Sequence, residues 1–259
     1  MIEDNSLVSI VITVYNRDSY LEKTINSILN STYKNIEIII WDDGSTDSSV
    51  DIALFYCLLD RRIRLFRSAE NEGAAIALIK ALTKTTGEYI GLVDSDDLLH
   101  PESIKECLCC LNRNKEVGVV YTKSYIINEK DNVVGIDTRA EIPFSKENML
   151  LNFISFHFRL FKKKDYSKIP NLNSRIESAI DYDLFMKLSE VTNFIHLPKP
   201  LYFYRKHSSN ISSMTSLSNA YYSELVIKDA IERRGLSNEF KLEVRADIKY
   251  VLLKKQNVS

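Results

Sequence analysis

Apolar runs alternate with helix-like patterns along the first 115 residues of the chain. Four of these runs are short and predict buried strands, at residues 7–14, 35–41, 63–66 and 89–93. Residues 18–30 instead carry apolar side chains at helical spacing, and further helices are predicted to end near Leu59, to cover 73–85 and to begin at Pro101. Strands that alternate with helices predict a parallel sheet with right-handed crossovers, which is an α/β fold.

After Asn114 the pattern changes to that of a mixed α+β half. Strands are predicted at residues 117–128, 133–136, 157–161 and 195–204. Helices are predicted at residues 147–153, 181–191, 218–234 and 238–254. The last helix carries an apolar i+4 stripe, which predicts either packing within the chain or a partner surface, formed by Phe240, Val244, Ile248 and Leu252.

Acidic residues directly follow two of the predicted strands. Asp42 and Asp43 follow the second strand, whereas Asp94, Asp96 and Asp97 follow the fourth. Because the carboxyl ends of parallel strands share one edge of a sheet, we expect these acids to meet in a ligand-binding crevice. Carboxylates this close repel one another, and a bound Mg²⁺ or Mn²⁺ would remove the repulsion. The alternative is a polar loop that caps a helix.

Composition and charge narrow the classes of function. The chain has 259 residues, of which 45% are hydrophobic, and a formal net charge of −1, which fits one large or two small globular domains. This near-neutral balance gives no general attraction to nucleic acid or to an anionic membrane, so phosphate recognition has to be local. Since the sequence lacks the GxxxxGK[ST] and GxGxxG motifs, a metal ion would have to hold the phosphates.

The sequence also predicts where the protein is located. No apolar run reaches the ~18 to 20 residues of a membrane span, and the N-terminus lacks the pattern of a signal peptide. We therefore expect a soluble, cytoplasmic protein. Cys57 stands alone, whereas Cys107, Cys109 and Cys110 lie in one predicted helix. This spacing predicts reduced thiols in the core rather than a zinc site or disulfides.

Six motifs in a fixed order resemble glycosyltransferase family 2, whose members are inverting enzymes of the GT-A fold. They are VSIVITVYNR, WDDGSTDSS, NEGAA, GEYIGLVDSDDLL, AIDYDLFMKLSE and YRKHSSNIS, which together cover roughly residues 7–215. The runs HFRLF and IESAIDYDLFMKLSEV look most like the second transferase domain of bacterial chondroitin and hyaluronan synthases.

The resemblance implies a GT-A organisation, with a mostly parallel nucleotide-binding sheet flanked by helices. Residues 1–115 would form the nucleotide-sugar-binding half, 116–215 the acceptor-binding and catalytic half, and 216–259 a helical C-terminal extension. The implied partners are a UDP-sugar donor and a glycan or lipid-linked acceptor, with no nucleic acid. Contact with the inner face of the membrane and homo-oligomers formed through the C-terminal helices are further expectations.

The resemblance also implies the residues of the donor site. The nucleotide-sugar-binding residues would be Thr13, Tyr15, Asn16, Asp43, Gly73, Asp94, Ser95 and Arg205. The Tyr15 ring would lie near the uracil, Asp43 would accept a hydrogen bond from the base and Asp94 would contact the ribose. Asp96 and His207 would ligate Mn²⁺ or Mg²⁺, although a lone histidine is more often a surface or core residue. Arg205 would face the diphosphate or form a salt bridge to a surface acid.

Asp181 is the predicted general base. Glu177 and Asp183 are the competing acids. If a helix begins near Asp181, then Asp181 and Asp183 diverge by about 200° at ~100° per residue, so only one can face the cleft. The resemblance favours Asp181 for catalysis and Asp183 for a structural role. The alternative is that Asp181 only caps the helix.

The sequence departs from the family at two places. Leu78 and Ile79 stand where many relatives carry Arg-Asn, with Lys80 adjacent, and Ile180 stands where many carry a Glu before the base. The predicted function is metal-dependent, inverting transfer of a sugar from a UDP-sugar to a hydroxyl group, in polysaccharide or surface-glycan synthesis. The alternatives are a sugar nucleotidyltransferase and a non-catalytic nucleotide- or glycan-binding protein.

Overall fold

The computed structural model describes residues 5–138, 141–152, 154, 157–207, 216–244 and 250–255. The first half contains β1 (Val8–Val14), α1 (Asp18–Leu29), β2 (Ile36–Asp42), α2 (Ser49–Leu59), β3 (Ile63–Arg67), α3 (Ala74–Leu82), β4 (Tyr89–Leu92), β5 (Leu98–Leu99) and α4 (Ser103–Arg113). The second half contains β6 (Val117–Ile127), β7 (Val133–Ile136), α5 (Lys146–Leu151), β8 (Arg159–Lys162), α6 (Lys163–Tyr166), α7 (Ile180–Val191), β9 (Asn193–Arg205), α8 (Ser216–Arg233), β10 (Phe240–Val244) and β11 (Tyr250–Lys254).

The predicted parallel sheet of the first half is confirmed. β3, β2, β1 and β4 lie side by side in that order, and each neighbouring pair is parallel. The apolar runs form strands because both faces of the sheet are covered; every residue of β2 and β4 is buried. As a consequence, the loops that follow β1, β2 and β4 emerge at one edge.

The same sheet continues into the second half of the chain. β8 pairs antiparallel with both β4 and β6, and β9 and β5 complete the row, with β7 beside β6. α1, α2 and α4 pack on one face of this nine-stranded sheet, and α3, α7 and α8 pack on the other. The predicted halves, 1–115 and 116–215, therefore share one sheet, while the boundaries themselves stay a prediction.

The predicted helix at 238–254 is wrong, because β10 and β11 pair as antiparallel strands there. Phe240, Leu242 and Val244 alternate with polar residues, and this period of two fits a strand as well as the i+4 stripe fits a helix. Leu242 pairs with Leu252 and both pack against the main core, which favours the strand. Ile248 of the predicted stripe lies outside the described residues. Among the described residues of the predicted helical extension, α8 is the helix.

Among the described residues, no helix combines the length and the apolar character that crossing a bilayer requires.

Another difference from the sequence prediction concerns the acidic loop after β4. The two-residue strand β5 lies between this loop and α4, which begins at Ser103 rather than at Pro101. β5 pairs with β9 and so anchors the end of the loop to the second half.

Glu37 on β2 ties three segments of the parallel sheet together. Its carboxylate accepts hydrogen bonds from the Ser9 hydroxyl at 2.6 Å and from the backbone N–H of Thr86 at 2.5 Å, and it pairs with Arg64 at 3.1 Å. Burial alone would raise the pKa of Glu37, but the hydrogen bonds from Ser9 and Thr86 and the charge of Arg64 outweigh burial and lower it. The ionised carboxylate therefore stabilises the fold.

We expect Glu37→Gln to lower the free energy of unfolding by about 1–3 kcal/mol at pH 7, because an amide cannot accept from all of these donors. A carboxyl group whose pKa is lowered by folding stabilises the protein above its unfolded pKa, which is about 4.3. That stabilisation is lost as the pH falls through the folded pKa. Urea denaturation of the parent protein and of Glu37→Gln, at pH 7 and near pH 3.5, should show a difference in the free energy of unfolding that shrinks in acid. Glu232→Gln, which changes an exposed residue, is the control. Equal stability at pH 7, or a difference that grows in acid, would contradict this role.

Candidate active site

A cavity of about 390 Å³ opens at the edge of the sheet where β1 and β4 end. Strand residues, the acidic loop after β4, the start of β8 and the N-terminal end of α7 all contribute to it. Its lining includes Thr13, Leu78, Asp94, Ser95, Asp96, His157, Arg159, Glu177 and Asp181. A crevice is therefore present at the predicted edge, and both halves of the chain form it. Of the acids expected to meet there, Asp94 and Asp96 line the cavity, whereas Asp42, Asp43 and Asp97 are not among its lining residues.

The acidic loop is fixed by hydrogen bonds to its backbone. The Thr24 hydroxyl on α1 donates to the carbonyl groups of Ser95 and Asp97, at 3.1 and 2.8 Å. The Asp94 N–H donates to the Tyr202 hydroxyl at 3.0 Å. These contacts come from two elements on different sides of the loop, so its acidic side chains are held in place before any ligand binds.

The three acids of this loop have different environments. Asp97 is fully buried and accepts the backbone N–H of Arg205 at 2.7 Å. The Asp94 side chain is half exposed, but its exposed face opens into the cavity. Desolvation there raises the pKa of Asp94 to about 7; Arg159 opposes this shift, whereas Asp96 adds to it. The cavity therefore crowds negative charge that a cation would stabilise.

Asp96 lies between two side chains that donate hydrogen bonds to it. Its Oδ2 accepts from His207 Nε2 at 3.0 Å and from Arg17 Nε at 3.1 Å. Burial alone would raise the pKa of Asp96, but the His207 hydrogen bond and the Arg17 charge lower it. The structure thus brings together the predicted metal ligands, Asp96 and His207, and it adds Arg17. His207 also stacks on Tyr20, with ring centroids 4.8 Å apart.

Arg205 makes the salt bridge that was the alternative to a diphosphate contact. Its guanidinium is fully buried and pairs with Asp131 in the β6–β7 turn. Its Nε donates to the Asp96 carbonyl oxygen at 2.6 Å, and its charge lies 5.0 Å from the Tyr20 ring. The contacts of Arg205 therefore hold the acidic loop against the second half of the sheet.

Asp181 and Arg159 form an ion pair at the other side of the acidic cluster. Arg159 Nη1 lies 3.0 Å from Asp181 Oδ2, and Arg159 Nη2 lies 3.2 Å from His157 Nδ1. His157 Nε2 in turn lies 3.4 Å from Asp94 Oδ2. Asp181 is at the start of α7 and remains about one-third exposed, at 35% of its side chain, toward the cavity.

The competing acids lie differently. Asp183 is buried, and its Oδ2 accepts from Lys187 Nζ at 2.8 Å and from the Asn173 N–H at 2.9 Å. Its side chain is therefore part of the internal packing of α7. Glu177 is exposed and shares the lining of the cavity with Asp181.

The remaining predicted donor residues lie where β1 and β2 end, beside the cavity. Asp43 is buried, and its two oxygens accept the backbone N–H groups of Glu72 and Gly73, at 3.1 and 2.8 Å. Asn16 accepts the Thr46 N–H at 2.9 Å, while Tyr15 is 43% exposed. Asp43 thus fixes the start of α3, and Asn16 connects the first two loops.

The departure from the family at Leu78 and Ile79 changes the lining of the cavity. Leu78 lines the cavity with an apolar side chain. Lys80 forms a salt bridge with Glu72, and its ammonium group lies 5.7 Å from the Trp41 ring. Lys80, which follows Leu78 and Ile79, therefore stabilises the loop before α3.

Three residues at the site were not predicted from the sequence, namely Arg17, His157 and Arg159. The run HFRLF predicts a strand, and the charged residue within this apolar stretch is the signal that the sequence offers for Arg159. Arg159 and Phe161 point to the same face of β8, toward Phe185 on α7. An arginine that shares a strand face with a core phenylalanine needs a partner in the fold.

Among the described residues, Asp94, Asp97 and His157 present ligand atoms within 4.8 Å of one another. Arginine can only donate, so Nδ1 of His157 must accept from Arg159. In the neutral ring the proton then lies on Nε2, the nitrogen that faces Asp94. A metal bound at Nε2 would displace that proton and set Nδ1–H against the arginine. The contact with Arg159 therefore argues against His157 as a cation ligand.

Known proteins resemble this chain in sequence. The profile of the glycosyl transferase family 2 matches residues 9–169. Chondroitin synthase of Pasteurella multocida (strain Pm70) is 33% identical over 232 residues, covering 90% of this chain and 24% of its own length. Chondroitin synthase of Escherichia coli is 35% identical, covering 80% of this chain and 30% of its own length. The chain thus spans under a third of these two relatives.

Other similarities cover more of the compared protein. Glycosyltransferase GlyG of Streptococcus pneumoniae serotype 4 is 32% identical over 80% of this chain and 73% of its own length. The crystal structure of S. aureus TarS in complex with UDP-GlcNAc has a TM-score of 0.70 at 18% identity, covering 85% of this chain and 65% of that one. The mannosyltransferase PcManGT from Pyrobaculum calidifontis, solved with GDP-Man and Mn²⁺, has a TM-score of 0.69 at 18% identity, covering 87% and 64%.

The structural similarities show that the fold is that of GT-A glycosyltransferases, as the sequence predicts. The profile match covers more than half of the chain, and GlyG, aligned over 73% of its own length, is 32% identical to this chain in the aligned region. The chain therefore belongs to glycosyltransferase family 2.

Proposed function

We propose that the chain transfers a sugar from a UDP-sugar to a hydroxyl group of a glycan or lipid-linked saccharide, with inversion at the anomeric carbon. The observation that carries this proposal is that one cavity is lined by Asp94 and Asp96 from the loop after β4 and by Asp181 from the start of α7. A metal-dependent inverting transfer needs acids that bind a cation beside the leaving diphosphate and a separate carboxylate for the acceptor hydroxyl. The cavity offers both.

The ends of β1 and β2 are the proposed binding place of the nucleotide base. Tyr15 exposes part of a ring that can stack on uracil. Each oxygen of Asp43 accepts one backbone N–H and keeps a further acceptor site, which the imide N–H of uracil can use. Thr13 lines the adjoining part of the cavity, and Asp94 is the proposed contact of the ribose.

The acidic residues fit a divalent cation, Mn²⁺ or Mg²⁺. Asp94 and Asp96 bring carboxylate oxygens to the cavity, and His207 adds an imidazole nitrogen beside Asp96. When bound, the cation stabilises the negative charge that builds on the diphosphate as the glycosidic bond breaks. Arg17 supplies a further positive charge at Asp96. The similarity to a mannosyltransferase solved with Mn²⁺ supports this proposal.

Asp181 is the proposed general base. It lies in the cavity lining, and its Oδ1 accepts only the neighbouring Tyr182 N–H among the described contacts, at 2.9 Å. Both carboxylate oxygens therefore keep an acceptor site for the hydroxyl that attacks the sugar. The buried Lys187–Asp183 pair supports Asp181 over Asp183.

The alternative functions have less support. A sugar nucleotidyltransferase would need a basic glycine-rich loop after β1, where this chain has Tyr15-Asn16-Arg17. A non-catalytic binding protein would be favoured by the apolar Leu78 wall, but it would not need an ion-paired acid at the position of Asp181. The relatives support a role in polysaccharide synthesis. Cytoplasmic location, membrane contact and self-association stay predictions from the sequence.

We expect removal of the metal to weaken UDP binding at least ~10-fold, because the acids then repel the diphosphate without compensation. Asp96→Ala should bind UDP weakly and respond little to Mn²⁺. Asp51→Ala, which removes an exposed acid on α2, should behave as the parent protein. Calorimetric titration of UDP with Mn²⁺ and with chelator measures each affinity. The same affinity in both conditions for the parent protein would contradict the metal site.

Asp181→Asn should lower kcat by about 10²-fold or more while UDP affinity stays within about twofold, because an amide keeps the shape but cannot take the proton. UDP release in the presence of acceptor gives kcat, and calorimetry gives the affinity.

Glu177→Gln is the matched control and should retain most of the activity. Asp183→Asn should mainly reduce stability, since it breaks a buried ion pair with Lys187. Activity that survives in Asp181→Asn but disappears in Glu177→Gln would assign the base to Glu177.

A further inference from the structure

We infer that Arg159 is a positioning residue that holds Asp181 in the orientation needed for proton abstraction and connects it to the donor side of the site. The inference rests on the proposed function, since it concerns the proposed general base. Its starting point is the chain of contacts from Asp181 through Arg159 and His157 to Asp94, with separations of 3.0, 3.2 and 3.4 Å.

The backbone of Arg159 is held rigidly. It is the first residue of β8, and it pairs with Leu92 on β4 and with Tyr121 on β6. β4 is the strand that delivers the acidic loop to the cavity. Arg159 is therefore fixed to the same sheet edge as Asp94, whereas Asp181 belongs to a separate helix on one face of the sheet.

The guanidinium is also held by packing. Its side chain is only 2% exposed and its charged centre lies 4.8 Å from the Phe185 ring. Phe185 is on α7, one turn after Asp181, so helix and arginine are in contact at two points. A planar guanidinium with donors in a fixed geometry can hold two partners at once, which a lysine ammonium on a flexible stem does less well.

A purely structural role explains this arrangement poorly. Burial of an arginine is unfavourable, and a buried ion pair rarely stabilises a fold more than apolar packing of the same volume. Here the partner carboxylate is one-third exposed toward the cavity, so solvent can stabilise its charge when the arginine is removed. Loss of Arg159 should therefore affect the orientation of Asp181 more than it affects the stability of the fold.

The test compares Arg159→Met, which keeps the volume of the stem, with Arg159→Lys, which keeps the charge. We expect Arg159→Met to lower kcat by about 10- to 100-fold, with UDP affinity within about threefold of the parent and the Tm within about 3 °C. The kcat of Arg159→Lys should lie between that of Arg159→Met and that of the parent protein. Arg233→Met removes another arginine from an ion pair, with Glu190, outside the cavity, and it should leave kcat unchanged.

The double variant Arg159→Met/Asp181→Asn shows whether the arginine acts through Asp181. If it does, Arg159→Met should lower the kcat of Asp181→Asn by less than about threefold. The same fold loss in both backgrounds, or a loss of UDP affinity that matches the loss of kcat, would overturn the inference. So would full activity in Arg159→Lys.

A crystal structure of Arg159→Met, or of Arg159→Lys should the Met variant not fold, provides a readout that does not depend on turnover. The Asp181 carboxylate should leave its position in the parent protein. If the Asp181 carboxylate stays in place in the variant, the inference is overturned. This outcome does not depend on whether the parent protein releases UDP from any donor. Absence of turnover in the parent protein together with a displaced carboxylate would instead count against the proposed function alone.

Discussion

Repulsion between carboxylates at one edge of the sheet is the constraint on which the site depends. Asp94, Asp96 and Asp97 follow a single strand, and the fold adds Asp181 nearby. The protein stabilises this charge from both sides: the Arg17 guanidinium and a hydrogen bond from His207 act on Asp96, and Arg159 pairs with Asp181. Asp94 keeps the raised pKa of about 7 that follows from desolvation and from neighbouring charge. A strongly shifted pKa within a cleft is typical of a functional site.

The sheet explains how residues distant in sequence form this site. β4 carries the acidic loop, and β8 lies beside it with Arg159 at the same edge. β9 ends at Arg205. Its backbone N–H donates to the Asp97 carboxylate and its Nε donates to the Asp96 carbonyl oxygen, and both contacts hold the acidic loop. The two halves of the sheet are therefore joined where the chemistry is proposed to occur, and Arg159 and Arg205 contribute to this connection.

Much of this could be predicted from sequence because local patterns determine it. The apolar runs specify the parallel strands, and strand direction alone brings Asp43 and Asp94 to one edge. Other features depend on contacts between distant residues. Nothing near Arg159 in sequence indicates that it pairs with Asp181 on another element, and nothing near Asp43 shows that its oxygens accept the Glu72 and Gly73 N–H groups. The pairing of β10 with β11 could not be predicted because the apolar residues of this segment fit two periods.

The most direct test of the account is UDP release from a panel of UDP-sugars, measured with Mn²⁺ and mixed saccharide acceptors. A glycosyltransferase of this kind should release UDP from at least one donor of the panel. It should do so faster with an acceptor than with water alone. Folded protein that binds UDP but releases none from any donor, or that forms a UDP-sugar from UTP and a sugar phosphate, would contradict the account.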